Sequence, residues 1–253
     1  MITVDAIIPT YNQTNLLYEA VASCKNQTHK LNRIIIVDDG SDREVVQDNL
    51  KKFRCDDQVF YIQNEHTGIP GIGRRIGLDV SISTWVAFLD SDDHWSNLKI
   101  QRQLEVATSS KADLVFSNAN KFGDSEGEFH QEMPIILGFK ELVKTNWIVN
   151  SSVVVKREIL SMTGYADSVR VRAIEDYATW LRVASVGKLV GINERLTNYR
   201  VTDGTIRSHD AEDPRIHAFA DYLMWAQSAR IVEKNEFEKY RRSVVQMIKR
   251  QYG

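Results

Sequence analysis

The chain has 253 residues, 43% of them hydrophobic and 26% charged, with a formal net charge of -2. That length holds one large α/β domain or two small ones, in an ordinary globular composition. The near-neutral charge supplies no basic field for nucleic acid, and no window approaches the roughly 18 consecutive apolar residues of a membrane span.

Val4 to Ile8 reads as a strand closed by Pro9. Leu16, Leu17, Ala20, Val21 and Cys24 recur at helical spacing across 14–27. A strand at 33–37 carries the aliphatic run Ile34-Ile35-Ile36-Val37, and Asp38-Asp39-Gly40-Ser41 supplies a turn and helix start. Strands are expected at 59–63 and 85–89, with a helix at 74–83 between them. This alternation predicts an α/β fold with a mostly parallel sheet, flanking helices and right-handed crossovers. Beyond 115 the pattern is less regular: strands at 114–117, 152–155 and 189–192, and a helix at 176–186. Two helices are expected after about Asp213. The last, at 237–252, sets Tyr240, Val244, Met247 and Ile248 against Lys239, Arg241, Arg242, Lys249 and Arg250. MITVDAIIPTYN lacks a basic stretch before an apolar core and predicts no signal peptide. Cys24 and Cys55 match no metal or disulfide spacing and read as buried or half-buried thiols of a reducing, cytoplasmic setting.

In such sheets ligands sit beyond the carboxyl ends of the strands, and the acidic clusters fall there: Asp38 and Asp39, then Asp90, Asp92 and Asp93. Converging carboxylates repel one another and call for a cation. Along a strand end Asp90 and Asp92 would face one side, and their hard oxygens suit Mn2+ or Mg2+, which also bridges a diphosphate. The plainer alternatives are an acidic cap on a helix starting near Asn97, and turn or N-cap roles for Asp38, Asp39 and Ser41. Gly71-Ile72-Gly73-Arg74-Arg75-Ile76-Gly77 mimics a dinucleotide fingerprint. Its third glycine comes one residue late, and it follows the third strand instead of the first.

IIPTYN (7–12), VDDGSD (37–42) and FLDSDD (88–93), in this order and spacing, resemble the nucleotide-sugar half of glycosyltransferase family 2. NEHTGIPGIGRRIGL (64–78), NSSVVVKREIL (150–160) and IEDYATWLRV (174–183) resemble its intervening loop-and-helix and its acceptor-side segments, so the likeness runs from about residue 3 to 200. The resemblance implies a GT-A domain over 1–210, with a nucleotide-sugar half at 1–115, an acceptor half at 116–210, and a C-terminal helical segment at 211–253. It implies inverting, metal-dependent transfer of a hexose or N-acetylhexosamine from a UDP-sugar to an acceptor hydroxyl. By fold-level analogy the acceptor is a saccharide on undecaprenyl diphosphate, as in O-antigen or capsule synthesis. Carried over by position, Asp176 resembles the catalytic base. Pro9, Thr10, Tyr11, Asp39, Arg74, Asp90 and Ser91 resemble the nucleotide-sugar contacts, with Tyr11 stacking on the base and Asp39 accepting the uracil N–H. Asp90, Asp92 and Asp93 would hold the metal. From the residues alone Glu175 and Asp176 are acidic groups at a helix start, where the dipole lowers a carboxyl pKa. Arg75 stands where the family often has asparagine, and Trp180 and Arg182 read as structural. The basic terminal helix with a lipid-linked acceptor predicts contact with the inner face of the cytoplasmic membrane; the alternative is packing on the domain or in a homodimer.

Overall fold

The structure is a computed structural model that describes residues 2–202 and 213–229, with isolated positions 242 and 246. In chain order the elements are β1 (Val4–Thr10), α1 (Asn15–Lys25), β2 (Arg33–Asp38), α2 (Arg43–Phe53), β3 (Val59–Gln63) and α3 (Pro70–Val80). Then come β4 (Trp85–Phe88), β5 (His94–Trp95), α4 (Lys99–Ser110), β6 (Leu114–Gly123), β7 (Gly127–Glu128), β8 (Ile136–Leu137) and α5 (Phe139–Lys144). The chain continues through β9 (Val153–Lys156), α6 (Arg157–Thr163), α7 (Glu175–Val186), β10 (Leu189–Val201) and α8 (Pro214–Ser228).

The main sheet runs β3-β2-β1-β4-β9-β6-β10-β5. Strands β1 to β4 pair in parallel, as do β6 and β10, while β9 is antiparallel between β4 and β6. Side-chain alternation splits the apolar residues between two faces. Ile7, Val86 and Phe88 pack with Leu160, Trp180, Leu181 and Phe219 on one side; Ala6, Ile8 and Ile36 pack with Leu17, Val21, Ile100 and Leu104 on the other. This is the α/β architecture that the strand-helix alternation predicts.

Three local expectations change. β1 does not stop at Pro9; it continues to Thr10, with Pro9 opposite Val37. Alternate residues bond to the same side, and Ile7 O accepts from Leu89 N at 3.1 Å. Pro9 therefore turns its missing donor towards the β4 side, where that strand has already ended. The helix expected at 74–83 starts four residues earlier, at Pro70, a proline suited to the first helical turn. The glycines of 71–77 thus lie inside α3 and not in a loop before it. A Cβ on Gly77 would sit 2.4 Å from Ile7 Cγ2, and one on Gly71 2.4 Å from Ala166 O, so both serve close helix packing. β10 runs to Val201 instead of 192, because register shifts at 192–197 break the alternation by which a strand is read. Cys24 is buried, as expected, and Cys55 is exposed.

The helix expected at 237–252 lies outside the described residues. Among the described residues no helix is long and apolar enough to cross a membrane.

Candidate active site

The carboxyl ends of β1, β2 and β4 open on one crevice. Asp38, at the end of β2, is buried; its carboxylate accepts Ser41 N at 2.7 Å and the Tyr61 hydroxyl. It shapes the turn. Asp39 reaches the loop after β3: Oδ1 accepts Thr67 N at 3.0 Å and Thr67 Oγ1 at 2.7 Å, and Oδ2 accepts Gly68 N at 2.8 Å. A carboxylate offers about four acceptor sites, so these three donors leave one for a nucleobase N–H. Tyr11 is 46% exposed, and His66 stacks on its ring at 4.3 Å. His66 was not legible as a site residue. Thr10 Oγ1 is buried without a partner, an orphan at the crevice end of β1.

Asp90, Ser91, Asp92 and Asp93 form a turn, closed by Asp93 N donating to Asp90 O at 3.1 Å. The strand has ended at Phe88, so strand alternation does not set the directions of Asp90 and Asp92. Ser151 Oγ accepts Asp90 N at 3.0 Å, and Asn150 Nδ2 donates to Asp90 Oδ1 at 3.0 Å. On the other side Arg200, in β10, donates its backbone N–H to Asp93 Oδ1 at 2.7 Å and its Nε to Asp92 O at 2.8 Å. Asn150, Ser151 and Arg200 were not singled out by sequence, because only the antiparallel strands β9 and β5 bring their segments beside the turn. Ser91 is half-buried within it.

Arg74 is buried in α3. Its Nη2 donates to Asp90 Oδ1 at 2.6 Å and its Nη1 to Glu175 Oε1 at 3.2 Å. One guanidinium thereby ties the aspartate turn to the first turn of α7. Arg75, one residue on, points outwards and pairs with Asp167 and Asp79, an ionic role that an asparagine would not fill. Asp176 follows Glu175; its Oδ1 accepts Tyr177 N at 2.7 Å. Asp176 keeps part of its surface open, yet the crevice walls desolvate it. Burial, then the neighbouring Glu175, pushes its carboxyl up to about 7, against the lowering by Arg74. A helix start alone would lower this pKa; desolvation and a like charge outweigh the dipole here. Trp180 is fully buried, and Arg182 pairs with Asp221 at 2.6 Å, both inside the packing of α7 and α8.

Five carboxylates (Asp90, Asp92, Asp93, Glu175, Asp176) thus face two guanidinium groups, Arg74 and Arg200. Burial and then Asp90 raise the Asp92 carboxyl; burial and then Asp92 raise that of Asp93 far more. Asp93 Oδ2 is buried with no partner. This crowding of hard oxygens fits a divalent cation. Among the described residues, however, no three His, Cys, Asp or Glu side chains form a ready metal cluster. A Mg2+-like ion held by one or two carboxylates, with phosphate oxygens completing its shell, needs no such cluster. Asp90 and Asp92 suit that part better than Asp93, whose carboxylate is buried with its Oδ1 held by Arg200 N–H.

Comparison with known proteins agrees with this geometry. The family described as glycosyl transferase family 2 matches residues 5–162. An uncharacterised glycosyltransferase of Rickettsia felis is 26% identical over 93% of this chain, which spans 42% of that protein's length. The Escherichia coli UDP-Glc:alpha-D-GlcNAc-diphosphoundecaprenol beta-1,3-glucosyltransferase WfaP is 30% identical over 81% of this chain and 80% of its own. Among solved structures, Staphylococcus aureus TarS 1–349 in complex with UDP-GlcNAc superposes with a TM-score of 0.71 at 15% identity, covering 93% of this chain and 69% of that one, a likeness of fold. With a family match over more than half its length and an aspartate-lined crevice at the strand ends, the chain belongs to glycosyl transferase family 2 and has a GT-A fold.

Proposed function

We propose that the chain transfers a hexose or N-acetylhexosamine from a UDP-sugar to a saccharide hydroxyl with inversion, on an acceptor carried by undecaprenyl diphosphate. The observation that carries this reading is the Asp90–Arg74–Glu175 bridge. It fixes the aspartate turn, where a diphosphate would lie, against the helix start that bears a carboxylate of raised pKa. In support, WfaP is named for a UDP-sugar donor and a diphosphoundecaprenol acceptor, and TarS has been solved with UDP-GlcNAc. The proposed catalytic unit is 1–210, with its donor half at 1–115, its acceptor half at 116–210 and a helical extension at 211–253.

The chemistry is one displacement. Tyr177 N–H holds Asp176 Oδ1, which leaves Oδ2 to take the proton of the acceptor hydroxyl. The acceptor oxygen bonds to the anomeric carbon as its bond to the diphosphate breaks, and the electron pair leaves with the nucleotide. No carboxylate is needed as a nucleophile, so an α-linked donor gives a β-glycoside. Arg74 holds Asp90 in place and keeps the turn from repelling the incoming phosphates. Mn2+ or Mg2+ on Asp90 and Asp92, when bound, supplies Lewis-acid neutralisation of the departing diphosphate. Thr10, Tyr11 and Asp39 frame the uridine, with Pro9 and Ser91 at its edges.

Nucleoside diphosphate release measured across a panel of UDP- and GDP-sugars, with each metal, tests the reading; turnover of GDP-sugars alone would overturn the uridine assignment. Asp39→Ala should weaken UDP binding by about 1.5–3 kcal/mol, the range for hydrogen bonds to a charged group. Calorimetry checks it, and an unchanged Kd counts against Asp39. The membrane role rests on the basic stripe at 237–252. The full chain should sediment with anionic liposomes at low salt and a chain ending at Asn235 should not; equal binding by both removes that role.

A further inference from the structure

A row of four half-buried rings leads away from the aspartate turn. Tyr199 and Phe129 have centroids 5.3 Å apart, Phe129 and His130 4.9 Å, and His130 and Trp147 5.1 Å. Backbone pairing fixes each of them. Tyr199 in β10 lies opposite Lys121 in β6, and Phe129 N donates to Ala119 O at 2.9 Å on the other side of that strand. Asn118 clasps His130 by donating to its carbonyl at 2.8 Å, and His130 Nε2 lies 3.2 Å from Trp147 O. Both ends of the row are tied to the site. Next to Tyr199, Arg200 N binds Asp93; three residues after Trp147, Asn150 binds Asp90. The Tyr199 phenol is pushed up by burial and then by Asp93, Asp90, Asp92 and Asp176, which places it among the site carboxylates.

Trp180 and Tyr165, deep in the core, are closed off at 0% and 1% exposure, whereas Trp147 packs against the core from its edge. The four of the row keep part of their surface open. Tyr199–Phe129 and Phe129–His130 are edge-to-face and His130–Trp147 is tilted at 50°, so the row presents both ring faces and ring edges. A pyranose matches it, with an apolar C–H face and equatorial hydroxyls, and clefts that bind small ligands combine aromatic walls with a few polar groups in this way. We propose that Tyr199, Phe129, His130 and Trp147 form the subsite for a pyranose of the acceptor saccharide, delivering its hydroxyl towards Asp176. This rests on the transfer reading above; Tyr199 lies beyond the family match, which covers the other three rings and ends at residue 162.

The test uses Trp147→Leu and Phe129→Leu, which keep apolar volume and remove the ring faces. The probe is a synthetic N-acetylglucosaminyl diphosphate bearing an alkyl tail. Each variant should raise the acceptor KM about tenfold, the scale of losing one stacking ring, with the UDP Kd within about twofold of wild type. An unchanged acceptor KM overturns the subsite. So does a parallel rise in acceptor KM and UDP Kd, which marks a merely structural role. Saturation-transfer NMR on the wild type, without donor, reads probe contact directly. UDP binding without contact from the probe's sugar protons overturns the subsite alone, whereas probe contact without UDP binding overturns the donor reading and leaves the subsite standing.

Discussion

Asp176→Asn should bind UDP like the wild type and lose turnover by about a hundredfold or more, because the amide fills the same space and accepts no proton. The pH profile of the wild type gives the same group a second signature. A base works only when ionised, and burial together with Glu175 pushes this carboxyl up to about 7. kcat/KM for the acceptor should therefore rise with pH to a plateau above about 7 and fall roughly tenfold per unit below it. Had the helix start alone set its acidity, the rate would be flat from about pH 5.5 upwards. Single-turnover rates across this range decide the matter. Turnover of Asp176→Asn within a few-fold of wild type would move the base elsewhere, with Glu175 and His209 next in line; His209 lies outside the described residues.

Asp92→Ala should lower transfer at saturating metal by two or more orders of magnitude, the scale of removing a main electrostatic stabiliser of the leaving group. Calorimetry gives a readout independent of turnover: Mn2+ should tighten UDP binding to the wild type and much less to the variant. Asp93→Ala should behave differently. Asp93 is buried and holds Arg200 N–H, so its loss should loosen the turn and lower thermal stability, with a smaller effect on the metal increment. Full transfer in excess EDTA sinks the metal assignment altogether.

Periodicity and punctuation carry most of the first half of the fold. The apolar run at 34–37, the helical spacing of Leu17, Val21 and Cys24, and the turn residues after each strand agree with β2, α1 and the strand ends within a few residues. The clustering of aspartates at those ends was legible too, since a parallel sheet gathers the carboxyl ends of its strands on one side. In the second half β9, α7 and the starts of β6 and β10 were legible as well, but the length of β10 was not, because its shifted register mixes the two faces along one strand.

The sequence by itself determined the α/β class and the clustering of aspartates at the strand ends, and through resemblance it offered Asp176 as the candidate base. Only the tertiary structure decided which charges meet. Arg74 and Glu175 stand 101 positions apart, Arg200 and Asp93 107, and no local pattern reports contacts of that separation. It also decided the sign of the Asp176 shift. A helix start lowers a carboxyl pKa from within a few residues, whereas desolvation and a like-charged neighbour depend on what the whole sheet brings around the crevice.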